Sequence, residues 1–147
     1  MLQPGYITDL PWQHTYQYCL SPHYTRFALG IAGLSAPTPR SCCELAYGQG
    51  LSVALHAACN QESIWIGTDF NSAHAAFARS LTSGVALPNL CLYEEPLAVF
   101  CRREELGKLD FIGMIGTWSW LPASDQAAIG EFLDKKLTRK GLFALTT

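Results

Sequence analysis

Apolar positions change period along the chain, and the changes divide it into alternating helices and strands. Tyr24, Phe27, Ile31 and Leu34 recur at helical spacing after Ser21-Pro22, an N-cap with proline at the first helical position. They predict a core-facing helix that Pro37-Thr38-Pro39-Arg40 breaks. Ser41 to Tyr47 then reads as a first strand, Leu51 to Asn60 as a helix starting from a glycine turn, and 63–69 as a second strand. Asn71 or Ser72 caps a helix running to Leu81. Asn89 to Tyr93 is a short apolar run for a third strand, Pro96 opens a helix through Glu105, and Leu109 to Ile115 is a fourth strand. The last helix follows Pro122 and Ser124, with Ile129, Phe132, Leu133 and Leu137 on one face and Gly141 as its stop; Leu142 to Leu145 is a fifth strand. Residues 1–20 form an irregular lead-in rich in aromatics, Tyr6, Trp12, Tyr16 and Tyr18 among them.

Strands alternating with helices of this length predict a doubly wound, mostly parallel α/β sheet with right-handed crossovers. The 147 residues suit one domain, and 49% hydrophobic with 15% charged residues is a globular composition. A net charge of −2 and a pI near 6.0 leave no electrostatic footprint for nucleic acid. The one basic cluster, Lys135-Lys136 with Arg139-Lys140, lies at the end of the last predicted helix, where it complements the dipole. No direct nucleic-acid binding is expected. Met1-Leu2-Gln3-Pro4-Gly5 has no charged and apolar leader pattern, and no stretch is long enough to cross a bilayer, so a cytoplasmic location is the expectation. Six cysteines form no C-x-x-C pair and read as small buried hydrophobes. The neighbours Cys42 and Cys43 cannot adopt ordinary disulfide geometry with each other. Four scattered histidines make no metal site, and His56 and His74, inside helices, read as packing or surface residues.

Candidate chemistry concentrates at Glu44-Leu45-Ala46-Tyr47-Gly48-Gln49-Gly50 and at Asp69, which closes the next strand. Glycines between a strand and a helix let backbone N–H groups approach a ligand, and an acidic residue after the following strand accepts from ribose hydroxyls. An adenosine-bearing cofactor is the reading. A dinucleotide fingerprint needs a third small residue three after the second glycine; Val53 stands there, which makes NAD the weaker alternative.

The segment from Glu44 to Gly50 resembles the first motif of class I S-adenosylmethionine-dependent methyltransferases, and Thr68-Asp69-Phe70-Asn71 resembles their second. Tyr16-Gln17-Tyr18, Ser21-Pro22-His23, Leu109-Asp110-Phe111-Ile112 and Trp118-Ser119-Trp120 extend the resemblance over roughly residues 12 to 147. They point to the bacterial branch that carries a methyltransferase regulatory domain after the catalytic one. Two positions depart from it: Ala46 stands where the branch has glycine, and Met114-Ile115-Gly116 where it has Leu-His-Gly. An alanine is tolerable there if its φ stays negative.

The resemblance implies a Rossmann-like sheet of order 3-2-1-4-5 and S-adenosylmethionine as cofactor. It implies a pocket of Glu44, Ala46, Gly48, Gly50, Asp69, Phe70, Glu95 and Ile115, with Glu44 near the methionine amino end, Asp69 on the ribose and Glu95 toward the adenine amino group. No residue is singled out as a catalytic base, because methyl transfer from a sulfonium needs orientation first. Asp69→Ala is expected to weaken cofactor binding and leave folding intact. Trp118 and Trp120 read either as a stacking wall or as core, and Tyr16 and Tyr18 as a lid. A full sheet of this class adds two strands beyond the fifth, so the expectation is a truncated or short divergent protein. Its fifth-strand edge would be covered by dimerisation or by a partner chain. The methyl acceptor is unassigned. The alternative is a non-catalytic remnant that keeps the adenosine pocket and acts through a partner.

Overall fold

The computed structural model describes residues 14–147; Met1 to Gly5, Tyr6 and Trp12 of the lead-in lie outside the described residues. After a 3-10 turn at Tyr18–Leu20 come α1 (Pro22–Ile31), β1 (Ser41–Leu45), α2 (Leu51–Cys59), β2 (Ile64–Asp69) and α3 (Ser72–Thr82). Then follow β3 (Leu90–Glu94), α4 (Leu97–Phe100), β4 (Leu109–Ile115), a 3-10 turn at Trp118–Trp120, α5 (Ala123–Lys136) and β5 (Leu137–Thr146). The strands form one parallel five-stranded sheet in the order β3-β2-β1-β4-β5, the predicted topology.

Both sheet faces are covered, as parallel strands require. Along β1 the side chains alternate: Cys42 joins Trp65, Phe111, Val53, Ala57 and Ala78 under α2 and α3, whereas Cys43 and Leu45 join Ile66, Ile112, Phe100, Ile129 and Phe132 under α4 and α5. Cys42, Cys43 and Cys101 are buried as predicted, while Cys59 and Cys91 are exposed; all the described cysteines are free thiols. Two polar side chains fasten the amino-terminal edge of the sheet. Asp110 accepts from the Arg40 and Ser41 N–H groups and from the Ser41 and Thr138 hydroxyls, tying the starts of β1 and β5 to β4. The Asn89 amide donates to the carbonyls of Ala57, Asn60 and Ser63, closing the end of α2 onto the β2 and β3 starts.

The structure departs from the sequence pattern in four places. The helix read as core-facing, α1, carries Phe27 (67% exposed) and Ile31 (75%) outward with Tyr24 and Leu34; only Pro22 and the preceding Leu20 are buried. Periodicity identified the helix but not what it packs against. The first strand ends at Leu45 rather than Tyr47, because Ala46 adopts positive φ. The helix after Pro96 stops at Phe100, and Arg103 beyond it folds back to pair with Glu95 and Glu105. The last helix ends at Lys136, so Gly141, Arg139 and Lys140 lie within β5 rather than at a helix end. Residues 138–141 form an irregularity in the pairing with β4, since Leu137 faces Leu109 and Leu142 already faces Phe111.

Candidate functional site

The strand order reverses at β1, which lies between β2 and β4, and open α/β sheets bind ligands at the carboxyl ends of strands at such a switch point. The chain turns there from β1 into α2 through Ala46, Gly48 and Gly50, with φ of 56°, 59° and 78°. Glycine takes left-handed φ freely, but for an L-residue the same conformation costs about 1–2 kcal/mol. The condition set for Ala46, a negative φ, is therefore not met. Ala46→Gly should raise the unfolding free energy by about 1 kcal/mol, strain relief outweighing the added freedom of the unfolded chain; urea titration of both proteins reads the difference.

Asp69, 5% exposed at the end of β2, holds this turn in place. Its Oδ2 accepts from the Gly48 N–H at 2.8 Å, its Oδ1 accepts from the Asn71 N–H at 2.9 Å, and the His74 Nδ1 lies 3.3 Å from Oδ1. Asn71 in turn caps α3 through the Ala73 and His74 N–H groups, the predicted cap. One carboxylate thus couples the glycine turn to the start of α3.

Glu44 lies 3% exposed on the α2 side of β1, flanked across the sheet by Gly67 and Gly113. With Ala46, Tyr47, Gln49, Gly50, Leu51, Ser52, Ile115, Thr15 and Gln17 it lines a cavity of about 10 Å³, room for one water. Thr15 and Gln17 come from the lead-in, which is fastened across the site. The Gln17 N–H donates to Ser52 Oγ at 2.8 Å, and buried Leu20 occupies the space over Gly113. A wider groove of about 740 Å³, lined by Arg102, Glu104, Ser124, Glu131 and Lys135, runs along α5 against the segment that follows α4.

Burial pushes the Glu44 carboxyl from 4.5 to about 8, and burial, followed by the neighbouring charge of His23, pulls His56 from 6.5 to about 4. Both shifts favour the uncharged form of the group. A raised carboxyl binds its proton more tightly in the folded state, so its stabilising margin is full below pH 4.5 and is lost as pH rises through 8. The depressed imidazole contributes stability above pH 6.5 that is lost as pH falls through 4. The two oppose each other from 4.5 to 6.5, and above 6.5 only Glu44 remains. Stability should therefore fall between pH 6.5 and 8 in the wild type and stay flatter in Glu44→Gln, as denaturation midpoints across that range will show.

The remaining predicted residues sort as follows. Phe70 follows Asp69 at the same strand end, half-buried, and Ile115 lines the cavity. Glu95 reaches the same edge, its N–H donating to the Asp69 carbonyl and its carbonyl accepting from the Thr68 hydroxyl. Its carboxylate is committed to Arg103, which holds it below the usual carboxylate range and lies 4.4 Å over the Tyr93 ring. Trp118 packs against the core beneath α5, and Trp120 is exposed. Tyr16 packs on His56 beside the site; Tyr18 stacks on Tyr24 away from it. His56 reads from sequence as a packing or surface residue, yet its Nδ1 lies 4.0 Å from Glu44 Oε2. Only the sheet register and the α2 docking bring the two together. Among the described residues no cluster of histidine, cysteine or acidic side chains has the makings of a metal site, and no helix is long and apolar enough to cross a membrane.

No protein-family model matches the sequence. The chain is 28% identical to an uncharacterized protein of Synechocystis sp. over 141 residues, 94% of this chain and 28% of that protein. It is also 28% identical to an uncharacterized protein of Rickettsia prowazekii over 133 residues, 89% of this chain and 50% of that protein. The chain therefore spans half or less of the length of these curated relatives. Among solved structures, PKMT2 from Rickettsia typhi in complex with AdoHcy superposes with a TM-score of 0.80 at 23% identity, covering 90% of this chain and 26% of that one. The plantazolicin methyltransferase BamL, in complex with SAH and a triazolic desmethylPZN analog, gives 0.64 at 17% identity, covering 82% of this chain and 41% of that one. TehB from Haemophilus influenzae gives 0.63 at 16%, covering 80% and 37%. The fold of this chain is the Rossmann-like fold these proteins share.

Proposed function

We propose that this chain is the S-adenosylmethionine-binding part of a class I methyltransferase. The observation that carries the reading is the left-handed turn from Ala46 to Gly50 at the sheet's switch point, with a buried acidic side chain on either side of it, Glu44 and Asp69. An acidic side chain at Glu44 suits an ammonium group better than a pyrophosphate. That PKMT2 and BamL were solved with AdoHcy or SAH supports the cofactor assignment.

The residues present fit the group. Each Asp69 oxygen has two acceptor sites; Oδ2 uses one on the Gly48 N–H and keeps one for a ribose hydroxyl. Glu44 would hold the methionine amino end, Ala46, Gly48 and Gly50 would let the backbone approach it, and Ile115, with Phe70 beside Asp69, would wall the pocket. Glu95, anchored by Arg103, retains acceptor capacity at the adenine end. When bound, the cofactor supplies an electrophilic methyl carbon for in-line displacement; the chain orients the donor and keeps water out. The Thr15 and Gln17 side chains line the cavity and must turn aside for the ligand to enter, while Tyr16 between them keeps its place on His56. The motif order supports the finer assignment to the branch with a regulatory domain. Among the described residues β5 is an edge strand, which supports its coverage by a second copy or a partner chain; light scattering on the purified chain will read the former.

A second reading, a non-catalytic remnant that binds the cofactor, is favoured by strained Ala46 and by Ile115 in place of an imidazole. Equilibrium dialysis against labelled S-adenosylmethionine and NAD tests the main reading. Binding of the former alone supports it, and binding of NAD alone refutes it. Binding without release of S-adenosylhomocysteine in the presence of cell extract moves the conclusion to the remnant.

A further inference from the structure

His56 lies on α2, 3% exposed, away from the turn's own hydrogen bonds. Its Nε2 is 3.1 Å from the Tyr16 hydroxyl, its ring packs 5.0 Å from that of Trp65, and its Nδ1 faces Glu44 Oε2 across 4.0 Å. Among the described residues Glu44 Oε2 and His56 Nδ1 are both buried without a hydrogen-bond partner, as is Trp65 Nε1. Buried polar groups are nearly always paired, so two unpaired atoms facing each other beside the cavity that Glu44 lines point to a polar ligand group as their partner. A Tyr16 hydroxyl that donates to Nε2 puts the imidazole proton on Nδ1, on the side of Glu44.

We infer that His56, its tautomer set by Tyr16, is a positioning residue for Glu44. When an ammonium group docks in the pocket, Glu44 gives up its proton and its carboxylate is held between that ammonium and the His56 Nδ1–H. The inference rests on the S-adenosyl reading of the pocket and adds to it which end of the ligand His56 discriminates. The proton leaves to solvent and no bond of the ligand changes. The other groups facing the pair leave this exchange to Glu44. The Cys19 thiol in the 3-10 turn is pushed up mainly by its own burial, with Glu44 a lesser cause, and His23 on α1 only disfavours a charged His56. Gly67 on β2 and Gly113 on β4 bring no charge, and among the described residues no lysine or arginine pairs with Glu44. Burial of the free carboxyl makes docking of a cation the event that ionises it.

Titration calorimetry at pH 7 in two buffers of different ionisation heat separates the cases, using S-adenosylhomocysteine and 5′-methylthioadenosine, which lacks the amino-acid end. Wild type should release about one proton per S-adenosylhomocysteine bound and none with methylthioadenosine. His56→Phe keeps the ring against Trp65 and should weaken S-adenosylhomocysteine by about tenfold, the loss of one charge-assisted hydrogen bond, with methylthioadenosine changed by less than roughly twofold. Tyr16→Phe should act in the same selective direction with a smaller effect, and carries the test alone should His56→Phe not fold. Equal weakening of both ligands, no change in either, or S-adenosylhomocysteine binding without proton release overturns the role of His56. Failure of folded wild type to bind either ligand overturns the reading of the pocket, and the inference with it.

Discussion

Asp69→Ala should lower the unfolding free energy by about 3 kcal/mol and abolish S-adenosylhomocysteine binding in the same protein. A carboxylate at the end of a strand reads from sequence as a ligand-facing group whose loss the fold tolerates. The structure corrects that expectation, because Asp69 is buried and accepts from the Gly48 and Asn71 N–H groups. Hydrogen bonds to a charged acceptor contribute about 1.5–3 kcal/mol each, and alanine leaves two donors without a partner. Asp69→Asn keeps one carbonyl oxygen and should recover about half of the loss. Chemical denaturation of the three proteins reads the order directly. An alanine variant as stable as wild type would mean that these bonds do not hold the turn.

Gly50→Ala should cost about 3 kcal/mol, for two separable reasons. The residue has φ 78°, where a side chain is strained by about 1–2 kcal/mol, and its Cβ would lie 2.6 Å from the Cβ of Ala78 on α3. Overpacking of that kind adds about 1–3 kcal/mol, partly offset by the stiffer unfolded chain. Combining Gly50→Ala with Ala78→Gly should restore the part due to the clash and leave the part due to φ. If the double variant is no more stable than the single one, the approach of α3 to the turn is not what demands glycine here. The same glycine that would bring backbone close to a ligand also lets α2 and α3 meet.

These two residues show what was legible before the fold was known. The glycine turn, Asp69 and the Asn71 cap are local signals, carried by residues adjacent in the chain, and the strand order follows from alternation together with the motif resemblance. Asp69's grip on Gly48 and the facing of Glu44 by His56 are long-range contacts set by sheet register and helix docking, on which local periodicity is silent. Boundaries failed where tertiary pairing overrode propensity. Arg103 reaching back to Glu95 accompanies the early end of α4, and the irregular pairing at 138–141 places Gly141 in a strand. Leu34 and Ile31 had the right period for a buried face and lie exposed, since period reports a helix and not its neighbour.

The most direct test is backbone amide mapping of the isotopically labelled chain during titration with S-adenosylhomocysteine. Saturable shifts centred on Gly48, Gly50, Asn71 and Glu44, with Gln17 responding as its side chain turns from the cavity, are the predicted result. No shift at saturating ligand, or shifts confined to the groove of Arg102, Glu131 and Lys135, would contradict a cofactor site at the carboxyl end of β1.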